Sequence, residues 1–221
     1  LNVPAVHTIH ELGTQRALDR LHAMGFHSLT QDAEHYGPAL ALGDGEVTLL
    51  ELANAYATLA RDGVSKPVRF VSRLIHGTGA DRQVTDFASR EIATSSRVLE
   101  PRVARMLTDI LSDKSARMAA FGDQNVLELE GLDVAAKTGT SKGYRDNIAV
   151  GYTRDVTVAV WAGNFDGSSM GEVSGVTGAG PIFHSVMEVA ARSRAYVRPP
   201  PSALGEAPAG RGSREDDLCI P

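Results

Sequence analysis

Several things are scarce in these 221 residues. There is one cysteine, Cys219, so no internal disulfide can staple the chain and a disulfide-framework fold is excluded. No apolar run approaches the ~20 residues of a membrane-spanning helix, and no signal-peptide pattern opens the sequence. Lys and Arg number 22 against 27 Asp and Glu, a net charge of −5 that lacks the basic surplus of a nucleic-acid binder. There are only four lysines, Lys66, Lys114, Lys137 and Lys142. The start at Leu1-Asn2-Val3-Pro4, without Met, reads as a piece of a longer polypeptide. What remains is ordinary for a globular domain: 43% hydrophobic and 22% charged residues, with ample length for a buried core.

The first half reads as helical. His10–Met24 carries Leu12, Leu18, Leu21 and Met24 on one face, with Gly25 as its stop. In "TLLELANAYATLARDG", Thr48 and Glu51 fit a capping box, Leu52, Ala53, Tyr56, Leu59 and Ala60 keep helical spacing, and Gly63 ends the run. "YGPALALGDGEV" before it reads as a loop of turns, and "VRFVSRLIH" followed by "GTGADRQV" as a strand turning into another. A third helix spans Pro101–Ser112, its predicted buried stripe being Val103, Met106, Leu107, Ile110 and Leu111.

From Val134 the hydrophobic period becomes two. Strands are expected at Val134–Thr140, Asn147–Thr153 and Val156–Phe165, the last two joined through Arg154-Asp155 as an antiparallel hairpin. Pro181 opens a helix with Ile182, Phe183, Val186, Met187 and Ala190 inward. Residues 1–197 form the domain, while 198–221, rich in Pro, Gly and charge, read as a linker or tail. Helices, then an antiparallel sheet, then a returning helix make an α+β fold.

The chemistry concentrates in "AAKTGTSKGY". Lys-Thr-Gly is one of three motifs that build a serine acyl-transfer site, beside Ser-x-x-Lys and Ser-x-Asn. On a strand, Lys137 supplies a fixed positive charge for a substrate carboxylate, and Thr138 and Thr140 share a face. Gly139 lets a substrate backbone approach the strand edge. The Thr140 N–H can point at the carbonyl oxygen under attack. The residues three before the four lysines are Gly63, Leu111, Val134 and Gly139, so no Ser-x-x-Lys is present and the chain holds no nucleophile of that kind.

"YGPALALGDGEVTLLELANAYATLARDG", "VAAKTGTSKGYRDNIAVGYTRDVTVAVWAGNFDG" and "SGVTGAGPIF" together resemble the transpeptidase domain of class A penicillin-binding proteins, the 1C type in particular. The likeness runs over about Leu1 to Arg194. It implies an antiparallel sheet packed between helices, β-lactamase-like and here incomplete on its N-terminal side. It implies a peptidoglycan DD-transpeptidase that works through an acyl-serine and needs no metal or cofactor. Lys137 and Thr140 would be catalytic, and Asn2, Thr138, Gly139 and Thr140 would bind substrate. Asn2 would be the last residue of a Ser-Leu-Asn motif. The implied partners are stem peptides, β-lactam antibiotics, the upstream part of the same polypeptide and cell-wall assembly proteins. The implied setting is the periplasm, with a glycosyltransferase-bearing parent anchored in the inner membrane. One departure is Ile148, where the family often carries Trp; Trp161 on the next strand is expected to take related volume.

His7 and His10 beside Glu11 do not form His-Glu-x-x-His and read as a helix-surface pair. His184 reads as a core-edge histidine, Arg145 and Asp146 as an ion pair bracing the loop, and Ser141 as structural. Rival readings are a carboxypeptidase or β-lactamase on the same scaffold, and a non-catalytic cell-wall scaffold.

Overall fold

The computed structural model describes residues 2–77, 81–87, 94–122 and 125–195. Leu1 and the expected tail with Cys219 lie outside them. The N-terminal part is helical: α1 (Asn2–Leu12), α2 (Thr14–Ala23), α3 (Ala33–Tyr36), a 3-10 helix (Gly37–Leu42) and α4 (Leu49–Ala60). The single helix expected over His10–Met24 is instead two, broken at Gly13, whose φ of 89° no helix accommodates. Leu12 is consequently exposed, while Leu18 is buried with Ile9, Phe26 and Leu40 in a small helical core. The stretch read as plain turns holds the 3-10 helix, which Pro38 opens and Gly43 ends in the left-handed region.

α4 begins with the expected capping box. Glu51 N–H donates to the Thr48 hydroxyl (3.2 Å), and Thr48 N–H donates to the Glu51 carboxylate (3.0 Å). The same carboxylate accepts from His27 N, Ser28 N and Ser28 Oγ, which ties the helix start to the turn after α2. Partial desolvation alone would raise the Glu51 pKa, but the hydrogen bonds from Ser28 and Thr48 outweigh it and hold the group at about 2.

Short antiparallel pairs follow: β1 (Val64–Ser65) with β4 (Ser96–Arg97), and β2 (Arg73–His76) with β3 (Gln83–Asp86). α5 (Pro101–Ser112) has the expected limits, then α6 (Lys114–Phe121). The α5 stripe does not behave as expected. Ala104 is fully buried, whereas Val103, Met106, Leu107 and Ile110 are exposed, Ile110 at 66%. Spacing identified the apolar face, but no described element covers it.

The main sheet has the order β5 (Ala135–Thr140), β6 (Asp146–Tyr152), β7 (Thr157–Gly163), all antiparallel. The Thr153 N–H to Val156 C=O bond (2.8 Å) closes the Arg154-Asp155 turn. One face, carrying Ala136, Ala149 and Val158, packs on α7 (Ala179–Ala195) through Phe183, Met187 and Ala191. Gly151 is bare because Phe183 occupies the space of a Cβ, 2.8 Å away. The expected inward set of α7 is half right. Phe183 and Met187 are buried, but Ile182 and Val186 are exposed with Val189, a second stripe that no described element covers. On the opposite face Leu59 of α4 meets Ala135 and Tyr152. The Thr108 hydroxyl shares a 2.8 Å hydrogen bond with the Tyr152 hydroxyl, joining α5 to β6. The sheet therefore lies between helices, the α+β arrangement expected.

Candidate active site

The motif occupies β5. Ala135, Lys137 and Gly139 register with Tyr152, Val150 and Ile148, and these with Thr157, Ala159 and Trp161. All project to the face shared with α4 and α5. Thr138 and Thr140 project to the α7 face, with Ala149 and Asn147 opposite them. β6 flanks β5 on one side, and no strand flanks the other among the described residues. The Ser141 N–H bond to Asp146 C=O (2.9 Å) sets the ladder phase. By alternation, the Lys137 and Gly139 backbone groups turn toward β6 and those of Thr138 and Thr140 toward the open edge.

Lys137 is exposed as a residue, and its Nζ donates to the Thr138 carbonyl (2.6 Å). Desolvation draws its pKa below the ordinary lysine value. The Thr140 hydroxyl accepts the Gly175 N–H (2.9 Å). That bond belongs to a loop that sequence reasoning quoted for its resemblance without giving it a role. In Ser174–Gly180, Gly178 N donates to Ser174 O and Gly180 N to Gly175 O, leading into α7. Gly175 lies so near the Gly139 and Ile148 carbonyls that a Cβ would collide with both. The signal was the glycine spacing at 175, 178 and 180, which indicates close backbone approach. Asn147, opposite Thr140, is fully buried, and its Oδ1 meets no donor among the described residues.

The structure brings Lys137, Thr138, Gly139 and Thr140 together on one strand. Asn2 lies on α1, where it lines a recess with Val3, Val6, His7 and Pro38. His7 and His10 are exposed on α1, and the His184 Nδ1 lies 2.9 Å from the Val126 carbonyl. Ser141 is structural, accepting Asp146 N–H at its hydroxyl (2.8 Å). The expected Arg145–Asp146 ion pair is not formed. Asp146 accepts the indole N–H of Trp161 instead (3.0 Å), and Arg145 is exposed. Trp161 is directly opposite Ile148, the volume relation expected of it.

An exposed cationic side chain, a glycine and a strand edge with no neighbouring strand among the described residues leave room for an extended chain to lie along β5. The comparisons bear on the family and the fold. The chain is 27% identical to penicillin-binding protein 1A of Streptococcus oralis over 183 residues, covering 73% of this chain and 26% of that protein. It is 29% identical to penicillin-binding protein 1A of Mycobacterium tuberculosis over 170 residues, covering 70% and 20%. The chain thus spans about a quarter or less of these relatives. Among solved structures, PonA1 of Mycobacterium tuberculosis in complex with penicillin V superposes with a TM-score of 0.64 at 25% identity, over 80% of this chain and 50% of that one. The D,D-transpeptidase domain of a peptidoglycan glycosyltransferase from Eggerthella lenta shares the fold, with a TM-score of 0.67 at 21% identity over 88% and 52%. The model of the penicillin binding protein transpeptidase domain matches residues 1–188. The chain belongs to that family.

Proposed function

We propose that these residues form the downstream half of a peptidoglycan DD-transpeptidase site, of the 1C type as its sequence blocks suggest. A serine supplied by an upstream part of the same polypeptide attacks the carbonyl carbon of the terminal D-Ala–D-Ala bond. The C–N bond breaks, D-alanine leaves with a proton on its amine, and a second stem's amine displaces the serine oxygen. In this reading Lys137 receives the substrate carboxylate, and its lowered pKa brings it nearer to proton exchange as well. Gly139 admits the donor backbone and the outward Thr140 N–H meets the developing oxyanion. Thr138, whose side chain lies on the α7 face, contributes its edge-facing backbone groups, and Asn2 completes the site when the upstream segment is present. That segment covers the apolar stripes of α5 and α7. The enzyme works outside the cytoplasmic membrane, held by an anchor elsewhere in the parent; no helix among the described residues is long and apolar enough to cross a membrane. Beyond β-lactams and stem peptides, cell-wall assembly proteins are its expected partners.

The observation that carries this reading is the Lys137–Thr140 strand at a sheet edge that no strand flanks among the described residues, with its lysine on the helical face. The test is the intact mass of an upstream-extended chain after incubation with benzylpenicillin, with the 221-residue chain as control. One adduct on the extended chain alone supports the reading. No adduct on either favours a non-catalytic cell-wall scaffold.

A further inference from the structure

Three polar side chains are buried among the described residues: Thr58, Asn125 and Asn147. Two have the partners that burial demands. The Thr58 hydroxyl donates to Asn54 C=O (2.9 Å), while Asn125 donates to the Glu128 carboxylate (2.7 Å) and accepts from Leu127 N–H (3.0 Å). Asn147 does not. It is 0% exposed, its Oδ1 accepts from no donor among the described residues, and its Nδ2 reaches only the Met170 sulfur, at 4.0 Å. A buried amide oxygen left unmet carries its full desolvation cost. Packing does not require an amide here, since Ala136, Ala149 and Val158 fill the same face with apolar groups.

The unmet acceptor has a matching donor across the ladder. Thr140 registers with Asn147, and both side chains lie on the α7 face. Ser141 and Asp146 are the hydrogen-bonded pair beside them. Thr140 and Asn147 are therefore a non-hydrogen-bonded pair, with Cα atoms roughly 4.5 Å apart and side chains close together. Hydroxyl-bearing side chains in such positions bond across strands. The Thr140 oxygen accepts Gly175 N–H (2.9 Å), and its own hydroxyl proton meets no acceptor among the described residues. One donor and one acceptor are thus unspent on facing side chains, a rotamer adjustment apart. The loop closes over them: a Cβ on Gly178 would stand 3.5 Å from that of Asn147.

We propose that Asn147 is a positioning residue for the transpeptidase reaction. Its carboxamide accepts the Thr140 hydroxyl proton when an acyl donor lies along the unflanked edge of β5. That bond completes a run from Gly175 N–H through the Thr140 hydroxyl to the Asn147 carbonyl. Hydrogen bonds in catalytic sites often tighten only with substrate in place, and bonds in a chain strengthen one another. The completed run fixes Thr140 between the loop and β6, so that its backbone N–H keeps its aim at the developing oxyanion. Asn147 touches no substrate and acts through Thr140. The proposal rests on the transpeptidase reading above.

The test uses the full-length protein, read by the second-order rate of benzylpenicillin acylation and by Tm. Threonine and valine both match asparagine closely in volume, but only threonine keeps an acceptor. Asn147→Val should acylate about tenfold more slowly, with Tm unchanged or raised because an unmet polar group is gone. Asn147→Thr should stay within about threefold of the unsubstituted protein, through a cross-strand hydroxyl pair. On a Thr140→Val background, Asn147→Val should change the rate by less than about twofold, because the hydroxyl it acts through is absent. Asn147→Ala and Asn147→Ser repeat the comparison with smaller side chains should valine overpack the site. Acylation of the acceptor-free variant within about twofold of the unsubstituted protein overturns the proposal. Equal slowing by valine and threonine does so too, as does a loss that persists undiminished on the Thr140→Val background; either result assigns Asn147 to packing alone. Failure of the unsubstituted protein to take up penicillin is a separate result, which removes the transpeptidase reading and this role with it.

Discussion

Gly175→Ala is the sharpest perturbation the structure offers, because it adds one methyl group directly against the backbone of the motif strand. Gly175 does not need a left-handed φ, so alanine suffers no backbone penalty there. The obstacle is steric. The new Cβ would lie 2.9 Å from the Ile148 carbonyl oxygen and closer still to that of Gly139, where ordinary contact begins at 3.4 Å. Both obstacles are backbone atoms of the β5–β6 pair, so rotamer changes cannot relieve them. The strand or the loop must yield by about half an ångström or more, and overpacking of this kind costs ~1–3 kcal/mol. If β5 yields, Gly139 and Thr140 leave their positions, and misplacement by ~1 Å can cost about 100-fold in rate. We expect benzylpenicillin acylation of the upstream-extended chain to slow by about 10- to 100-fold, with Tm lowered by a few degrees and the far-ultraviolet circular dichroism unchanged. Acylation within twofold of the unsubstituted chain would refute the claim that this loop positions the motif.

Lys137→Ala in the same extended chain should slow acylation at least 100-fold with little change in Tm; near-normal acylation sinks the assignment of the motif strand. Glu51 has a folded pKa of about 2 against an ordinary 4.5, so its stabilising effect is present above about pH 5 and lost as pH falls toward 2. For a fully shielded group that difference would be worth about 3 kcal/mol, and solvent around this carboxylate reduces it to about 1–2. Glu51→Gln should therefore destabilise by that amount at pH 7 and by little near pH 2.5, read from urea unfolding; a pH-independent loss contradicts the account. Met106→Ser/Ile110→Ser should change the stability of the 221-residue chain by about 0.5 kcal/mol or less, but cost about 2 kcal/mol or more in an upstream-extended chain. Equal effects in both would mean that nothing upstream covers α5.

Local rules were legible where the cause is local. The Thr48/Glu51 capping box, Pro101 at the start of α5 and the Arg154-Asp155 hairpin all rest on contacts within a few residues, and each appears close to its expected limits. The break at Gly13 was missed because the apolar spacing runs through it while the backbone does not. Periodicity named the apolar faces of α5 and α7 but not their cover, so Ile110 and Val186 were placed inward and lie outward. At the site, Lys137 to Thr140 were legible as a motif. The Gly175 support was not, because it depends on a contact across 35 positions of chain. The Trp161–Asp146 bond displaced the expected Arg145 pair for a similar reason: strand register, not sequence adjacency, decides which donor reaches a carboxylate.

The Thr140–Gly175–Gly180 run of hydrogen bonds has a practical consequence for where this chain can be cut. In sequence, α7 begins almost forty residues after the motif and holds none of its residues. Mechanically it is the motif's nearest abutment, since its first turn carries the loop that bears on Thr140, and Phe183 wedges against Gly151 behind the strand. A protein shortened before Ala179 would keep every motif residue and lose the buttress that holds them in line.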